Sequence, residues 1–314
     1  MTDTVVHRFF KQAETRPDAP AYHVKRRRNA SDQGRWVATS WKRYVEELRT
    51  AARALISLGV GRKGEGDTSC VCILGFNRPE WCIFDLAAMA AGAVPAGIYT
   101  SCSPSEVAYI VGHTDAKVVL VENVEQWEKI AEERANLPKL EKVVLMRDAG
   151  EVDDDMVLTW DEFLAQAEAT SDEVLDEHVA ALKADELATL IYTSGTTGPP
   201  KGVMLSHENL SWTATAAVEM VDTGPSDCSI SYLPLSHIAE QMFSLHVPAT
   251  SGMQIYFAES MDKLKEHLAE VRPTVLFGVP RVWEKFYAAM KAKLAEATGM
   301  KAKVAGWART TATE

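Results

Sequence analysis

The segment 193–201, with the sequence TSGTTGPPK, combines glycine, hydroxyl side chains and one lysine. Glycine adopts the positive φ angles that turn successive backbone N–H groups toward one anion, and hydroxyl groups and a lysine ammonium add further donors. This combination suits a polyphosphate better than a single carboxylate. We therefore expect phosphate binding from Thr193, Ser194, Gly195, Thr196, Thr197, Gly198 and Lys201.

The flanking sequence predicts how this segment is held. The apolar run 187–192 predicts a strand before it, and the periodic run 207–221 predicts a helix after it, whose N-terminal N–H groups would join the anion site. The spacing differs from the Walker P-loop, because Lys201 precedes Gly202 and two prolines follow Gly198. A flexible loop of turn-forming residues, with Lys201 solvated, is the alternative interpretation.

Composition places the chain among folded proteins of about two domains. It has 314 residues, of which 46% are hydrophobic and 25% are charged, as in ordinary globular chains. The formal net charge of −11 predicts no nucleic-acid partner, because an acidic surface repels phosphate groups. We interpret the basic run 25–28 as a solvated turn between two short strands, with a nucleic-acid or localisation role as the alternative.

The cysteines and the hydropathy pattern indicate the compartment in which the protein works. The five cysteines include no CxxC pair, and their odd number argues against a disulfide framework or a zinc site. We therefore expect no protein-bound metal and a cytoplasmic location. No signal peptide is recognisable, and no uninterrupted apolar run reaches the ~18 residues of a membrane span. Peripheral contact with membranes stays an open alternative.

Short apolar runs alternate with helical patterns between residues 70 and 146. Ser103, followed by Pro104 and Glu106, has the pattern of a helix capping box. The alternation predicts βαβ units and hence an α/β fold, with parallel sheets flanked by helices. Strands are expected at 70–76, 94–96, 117–123 and 142–146, and helices at 79–92, 103–116 and 125–135.

A second series of elements begins at residue 187. The acidic segment 148–186 precedes it, and we interpret this segment as a surface excursion with a short helix at 160–169. We therefore divide the chain into a first α/β lobe with its acidic connector, residues 1–186, and a second segment, residues 187–314. Strands are expected at 187–192, 228–235, 254–258 and 274–280, and helices at 207–221, 261–271 and 281–297.

Four stretches of the chain resemble one known family. TSGTTGPPKGV (193–203) is similar, over eleven consecutive positions, to the phosphate-loop signature of the adenylate-forming superfamily. That superfamily includes acyl-CoA synthetases, luciferases and peptide-synthetase adenylation domains. YLPLSHIAEQ (232–241) resembles its second core motif. Together with PTVLFGVPRVWEKFY (273–287) and the stretch 76–119, it is similar to long-chain fatty acyl-CoA synthetases of the bubblegum-type subgroup.

The resemblance implies the N-terminal domain of the adenylate-forming synthetase fold and a reaction in two steps. A fatty acid carboxylate attacks the α-phosphate of Mg-ATP, which gives an acyl-adenylate and pyrophosphate. Coenzyme A (CoA) then displaces AMP to give the acyl-CoA thioester. Fatty acid, ATP, Mg²⁺ and CoA are therefore the ligands that the resemblance implies.

The resemblance also implies roles for individual residues. The segment 193–201 would cradle the β and γ phosphates, with Lys201 as a catalytic residue. His237 would lie beside the acyl carboxylate and the adenylate, in both catalysis and substrate binding. A helix-start histidine satisfied by local hydrogen bonds is the alternative for His237. Phe277, Gly278 and Val279 would line the acyl tunnel, and core packing is the alternative for these three.

Three features of the family are not found in the sequence. They are the Tyr-Gly-x-Thr-Glu motif with its magnesium-linked glutamate, the Thr-Gly-Asp motif that holds the ribose, and the C-terminal domain with its catalytic lysine. We therefore expect the chain to correspond to the N-terminal portion of a longer enzyme, with an incomplete second segment. A C-terminal half would then be required for full activity.

Two other functions stay open from the sequence. The chain could be a non-catalytic nucleotide-binding fragment or interaction module, which the missing motifs favour. It could also belong to an enzyme that adenylates another carboxylate, such as an aromatic acid or an amino acid. The Pro-Leu-Ser-His form at 234–237 and the Pro-Arg-Val-Trp form at 280–283 argue against this second alternative.

Overall fold

The computed structural model describes residues 3–27, 32–64, 67–193, 198–295 and 304. The chain divides into two compact units, Met1–Val275 and Leu276–Glu314. The strands are β1 (Pro20–Arg26), β2 (Arg35–Ser40), β3 (Arg62–Gly64), β4 (Asp67–Thr68), β5 (Cys70–Leu74), β6 (Val94–Ile98), β7 (Val118–Val121), β8 (Lys142–Leu145), β9 (Val157–Leu158), β10 (Leu187–Thr193), β11 (Lys201–Ser206), β12 (Cys228–Ser231) and β13 (Gln254–Phe257).

Helices connect most of these strands. In the first unit they are α1 (Val5–Thr15), α2 (Trp41–Ser57), α3 (Pro79–Ala90), α4 (Pro104–His113), α5 (Val124–Glu132), α6 (Trp160–Ala165), α7 (Asp172–Ala180), α8 (His207–Val221), α9 (Ile238–Gln241), α10 (Val247–Ser251) and α11 (Leu264–Val271). Short 3₁₀ helices lie at Arg134–Asn136 and Gln166–Ala169, and a π-helix lies at Met242–His246. The second unit contains α12 (Pro280–Ala295).

A seven-stranded sheet forms the centre of the first unit, with the strand order β11-β10-β6-β5-β7-β8-β9. The neighbours from β10 to β9 pair in parallel, whereas β11 runs antiparallel to β10. The strands β6 and β7 are buried along their whole length, as in parallel sheets that helices cover on both faces. The predicted α/β fold is confirmed.

The N-terminal hairpin of β1 and β2 belongs to a second sheet, in the order β12-β13-β1-β2. β1 pairs in parallel with β13, with Tyr22 opposite Ile255, so the beginning and the end of the first unit share one sheet. The first compact unit ends at Val275, and β10 joins the same sheet as β5. The division of the chain after residue 186 does not coincide with these units and stays a prediction.

Two hydrophobic clusters lie on opposite faces of the seven-stranded sheet. Val71 and Ile73 of β5 belong to one cluster, and Cys72 and Leu74 belong to the other, as the two-residue period of a strand requires. The first cluster also contains α3, which is buried on every side. α3 therefore sits in the layer between the two sheets and fixes the positions of the loops at its ends.

The acidic segment that follows β8 is not the surface excursion that the sequence predicted. α6 and α7 pack onto α2, and Trp160, Phe163 and Leu175 are fully buried. A capping box starts α6, since the Thr159 hydroxyl accepts from Glu162 N and the Glu162 carboxylate accepts from Thr159 N. The acidic composition concealed the apolar spacing of these few core residues.

Two further predictions about local structure are wrong. The run 274–280 forms no strand, and its backbone joins β12 only where Thr274 N and Val275 N both donate to the Cys228 carbonyl oxygen. The two short strands predicted around the basic run are present as β1 and β2, but the run is not a solvated turn between them, because Lys25 lies within β1 and pairs with Glu270 at 2.7 Å. Position 28, the last residue of this run, lies outside the described residues.

Asp85 of α3 is a buried carboxyl group in this core. Its side chain is fully buried, and neither oxygen has a hydrogen-bond partner among the described residues. Burial without a partner disfavours the charged form and raises the pKa of Asp85 to about 8. The ordinary value is 3.8, so the folded protein binds more protons than the unfolded chain between these two pH values.

The wild-type protein should therefore lose free energy of unfolding as the pH rises through this window. We predict that Asp85→Asn removes this loss and stabilises the protein by about 1–3 kcal/mol at pH 9, with no comparable gain at pH 5. Urea unfolding at both pH values measures the difference. Asp262→Asn, at an exposed position, is the matched control. An equal effect of Asp85→Asn at both pH values would contradict the assignment.

Candidate functional site

The predicted phosphate-binding segment connects two antiparallel strands. Thr193 ends β10, Lys201 begins β11, and the two residues face each other in the ladder. Gly198 has a φ of +96°, the left-handed conformation that glycine tolerates best. We call β10, the connecting residues and β11 the glycine-rich hairpin. The predicted site residues Ser194, Gly195, Thr196 and Thr197 lie outside the described residues.

The expected passage from a strand directly into a helix is wrong. β11 separates the segment from α8, and it escaped notice because Gly202 and the prolines before it are weak strand formers. The N-terminus of α8 is occupied by its own capping box, in which Ser206 and Asn209 bond each other's backbone N–H. The first turn of α8 is therefore not part of the anion site that we predicted.

Tyr192 supports the base of the hairpin. Its hydroxyl lies 2.6 Å from His113 Nδ1, and its ring carbon lies 3.3 Å from where a Cβ on Gly202 would stand. Burial raises the pKa of Tyr192, so the phenol stays protonated at neutral pH. Sequence analysis missed this contact because His113 ends α4, 79 residues before Tyr192 in the sequence.

His237 lies in the turn that follows β12, which we call the His237 turn (residues 232–237). Its backbone N donates to the Pro234 carbonyl oxygen at 2.9 Å, and the residue caps α9. His237 Nδ1 accepts from Ala239 N at 3.1 Å, so in the neutral ring Nε2 carries the proton and acts as a donor. The side chain is exposed. The local hydrogen bond that we weighed as the alternative is thus present and leaves Nε2 available.

The His237 turn lies directly on the seven-stranded sheet. A Cβ placed on Gly97 of β6 would stand 2.8 Å from Ser236 Cα and 3.1 Å from the Trp81 ring, so only glycine fits there. Gly97 pairs with Ile191 of β10, two residues before Thr193. The turn and the glycine-rich hairpin therefore border the same carboxyl edge of the sheet, where parallel α/β sheets bind ligands.

The predicted acyl-binding residues Phe277, Gly278 and Val279 lie in the second compact unit, just before α12. Trp283 Nε1 donates to the Gly278 carbonyl oxygen at 2.9 Å, and a Cβ on Gly278 would stand 2.9 Å from the same nitrogen. The absence of a side chain at Gly278 therefore lets the Trp283 indole ring approach its backbone. Trp283 itself is 48% exposed. The part of Phe277, Gly278 and Val279 in an acyl tunnel stays a prediction.

The described part of the chain contains no group of three or more His, Cys, Asp or Glu residues that could hold a metal ion. None of its helices combines the length and the apolar character needed to cross a bilayer.

Comparison with known proteins identifies the family. The profile of the AMP-binding enzyme family matches residues 9–311, so the chain belongs to that family. The structure of the inhibitor-bound N-terminal domain of FACL13 from Mycobacterium tuberculosis covers 90% of this chain, with 22% identity and a TM-score of 0.72. The chain covers 64% of that structure in turn, and the likeness supports the same fold.

Within this family the chain is similar to long-chain-fatty-acid–CoA ligases. It is 42% identical over 290 residues to ACSBG2 of Xenopus laevis, across 89% of this chain and 38% of the relative. It is 39% identical over 313 residues to ACSBG2 of Gallus gallus, across 97% of this chain and 40% of the relative. The chain thus spans about two fifths of the length of these relatives. The predicted membership of the adenylate-forming family is confirmed.

We predict that Gly97→Ala displaces the His237 turn. The new methyl group would overlap the Ser236 backbone, and overpacking of this kind costs about 1–3 kcal/mol of unfolding free energy. Gly224→Ala is the matched control, because nothing lies within 4 Å of a Cβ at that position. Urea unfolding compares the two variants. If Gly97→Ala were no less stable than Gly224→Ala, the close contact between the turn and β6 would be wrong.

Proposed function

We propose that the chain forms the phosphate-binding and carboxylate-binding edge of a long-chain fatty acid–CoA ligase. The whole enzyme would join a fatty acid to ATP as acyl-adenylate and then transfer the acyl group to CoA. The observation that carries the proposal is the shared edge, where the contact between Gly97 and Ser236 brings the His237 turn beside the glycine-rich hairpin. The similarity to long-chain-fatty-acid–CoA ligases supports the choice of substrate.

The chemistry of the first step explains why both parts are needed at one edge. Attack of a carboxylate on the α-phosphate brings two anions together, so the site must hold the triphosphate in line and offset its charge. In the proposal, the hairpin residues 193–198 donate to the β and γ phosphates, and Lys201 supplies the positive charge. His237 Nε2 donates to the acyl carboxylate or to the adenylate that forms from it.

The remaining ligands belong to the proposed whole enzyme. Mg²⁺ would arrive with ATP, because the described residues offer no cluster that could hold it alone. Fatty acid and CoA are proposed as its co-substrates, and Phe277, Gly278 and Val279 as part of the acyl-binding wall. A peripheral contact with membranes, into which the apolar tails of long-chain fatty acids partition, is part of the same proposal.

The charge of Lys201 provides the direct test of phosphate binding. Lys201→Ala should weaken the affinity for Mg-ATP by about 10- to 100-fold, because hydrogen bonds to charged groups contribute about 1.5–3 kcal/mol. Titration calorimetry on the 314-residue chain measures the affinity. Lys265→Ala is the matched control, since Lys265 is an exposed lysine on α11 and lies outside the proposed site. Equal affinities of the two variants would exclude Lys201 from the phosphate site.

Exchange of pyrophosphate into ATP tests the chemistry and the substrate class. The proposal predicts exchange that depends on palmitate and Mg²⁺, that Lys201→Ala abolishes and that Lys265→Ala leaves unchanged. Exchange with benzoate or phenylalanine but not with palmitate would show that the substrate is another carboxylate and not a fatty acid. Binding of ATP without exchange by this chain would favour the nucleotide-binding fragment, and the full reaction would then have to be sought in a longer protein.

A further inference from the structure

A buried polar cluster lies beneath the His237 turn, and the proposed chemistry does not use it. Asn77, which follows β5, is 1% exposed, and Glu240 of α9 is 3% exposed. Buried side chains of this kind are costly unless hydrogen bonds satisfy them. Their partners are groups of the turn itself or of residues next to it.

Asn77 connects the end of β5 to the backbone of the turn. Its amide nitrogen donates to the Leu233 carbonyl oxygen at 2.7 Å and to Ser231 Oγ at 2.8 Å. Its amide oxygen accepts from Leu235 N at 3.3 Å. One side of the amide faces acceptors and the other faces a donor, so the orientation of the side chain is fixed by its surroundings. One residue thus binds the backbone of the turn at two points.

Glu240 holds the beginning of the same turn. Its Oε1 atom accepts from Tyr232 N at 3.0 Å, and from Ser231 Oγ and Ser244 Oγ at 2.8 Å each. These donors are neutral hydroxyl and backbone groups, and burial raises the pKa of Glu240 to about 7. Since Ser231 gives its single proton to Glu240, its oxygen is left to accept from Asn77. The two side chains therefore form one connected network.

Gln241 adds a third attachment, because its Nε2 donates to the Leu235 carbonyl oxygen at 2.9 Å. Backbone groups of Tyr232, Leu233 and Leu235 are thus bound by side chains, at positions where the strand has already ended. A turn without such bonds would be free to sample several conformations, and a catalytic group on it would lose orientation. Buried hydrogen bonds of this kind make such segments rigid, and here only Gln241 Oε1 is left without a partner among the described atoms of Asn77, Glu240 and Gln241 that bind the turn.

We infer that Asn77 and Glu240 are positioning residues that lock the His237 turn onto the carboxyl edge of the seven-stranded sheet. Neither residue touches the reacting atoms. They act on His237 through the backbone of residues 232–235. Asn77 joins this backbone to the end of β5 in the seven-stranded sheet. The consequence for catalysis rests on the proposed function, whereas the consequence for the turn does not.

The first test measures the turn without any substrate. In Asn77→Leu, which keeps the side-chain size and removes the amide, we expect the Leu235 amide proton to exchange about tenfold or more faster relative to Ile255 N in β13. The resonances of the neutral His237 ring should also change from those of the Nε2-protonated tautomer alone to an average over both tautomers. Asn136→Leu, at an exposed asparagine, is the matched control. Unchanged protection of Leu235 in a folded Asn77→Leu protein would overturn the inference.

A second variant covers the case in which Asn77→Leu fails to fold. Glu240→Gln keeps the oxygen acceptor and the volume but cannot ionise. In the wild-type protein we expect protection of Tyr232 N, relative to Ile255 N, to increase between pH 6 and pH 8 as Glu240 ionises and becomes the stronger acceptor. Glu240→Gln should remove this pH dependence. An identical pH profile in the variant would contradict the role of Glu240.

Kinetics of pyrophosphate exchange then separates positioning from binding. Asn77→Leu should lower kcat by about 10- to 100-fold and leave KM for ATP within about twofold, because the hairpin that binds the phosphates is untouched. A rise in KM without a fall in kcat would contradict positioning. If the wild-type chain shows no exchange with any carboxylate, this chain alone does not carry out the adenylation step of the proposed function, and the amide-exchange measurements still decide the inference about the turn.

Discussion

The absence of a side chain at Gly97 is the constraint on which the arrangement of the site depends. The His237 turn comes from the end of the four-stranded sheet, and it reaches β6 of the other sheet only because its backbone can lie against Gly97. The Trp81 ring closes the same contact from α3. This contact joins two sheets that share no strand, at the edge where β10 enters the glycine-rich hairpin.

The helices packed between the sheets stabilise this contact. α3 is buried on every side, so its position is fixed by packing with both the sheet and α2. Asn77 precedes α3 and Trp81 lies in its first turn. The residues that receive the His237 turn are therefore attached to the most completely buried helix of the first unit, where displacement would open a cavity in the core.

Local patterns were enough to predict most strands of the seven-stranded sheet and the strands β12 and β13, but not the edge strands β9 and β11 or the pairing that forms the second sheet. The strands β5 and β7 are continuous apolar runs, and the capping box at Ser103 was readable from residue types alone. β11 was missed because Gly202 and the prolines before it are weak strand formers. The pairing of β1 with β13 could not be predicted, since it joins segments whose partners are distant in the sequence.

The candidate site shows the same division. Lys201 and His237 were found from a motif resemblance, which concerns neighbouring residues. Gly97, Asn77 and Tyr192 were not singled out from the sequence, because their importance arises from contacts with other elements of the sheet edge. Paramagnetic relaxation of NMR signals by Mn²⁺-ATP tests whether the glycine-rich hairpin and the His237 turn border one nucleotide site. Our account predicts that the signals of Gly198, Lys201 and the His237 ring broaden together, whereas those of α11 are unaffected. Broadening of the hairpin without His237 would contradict it.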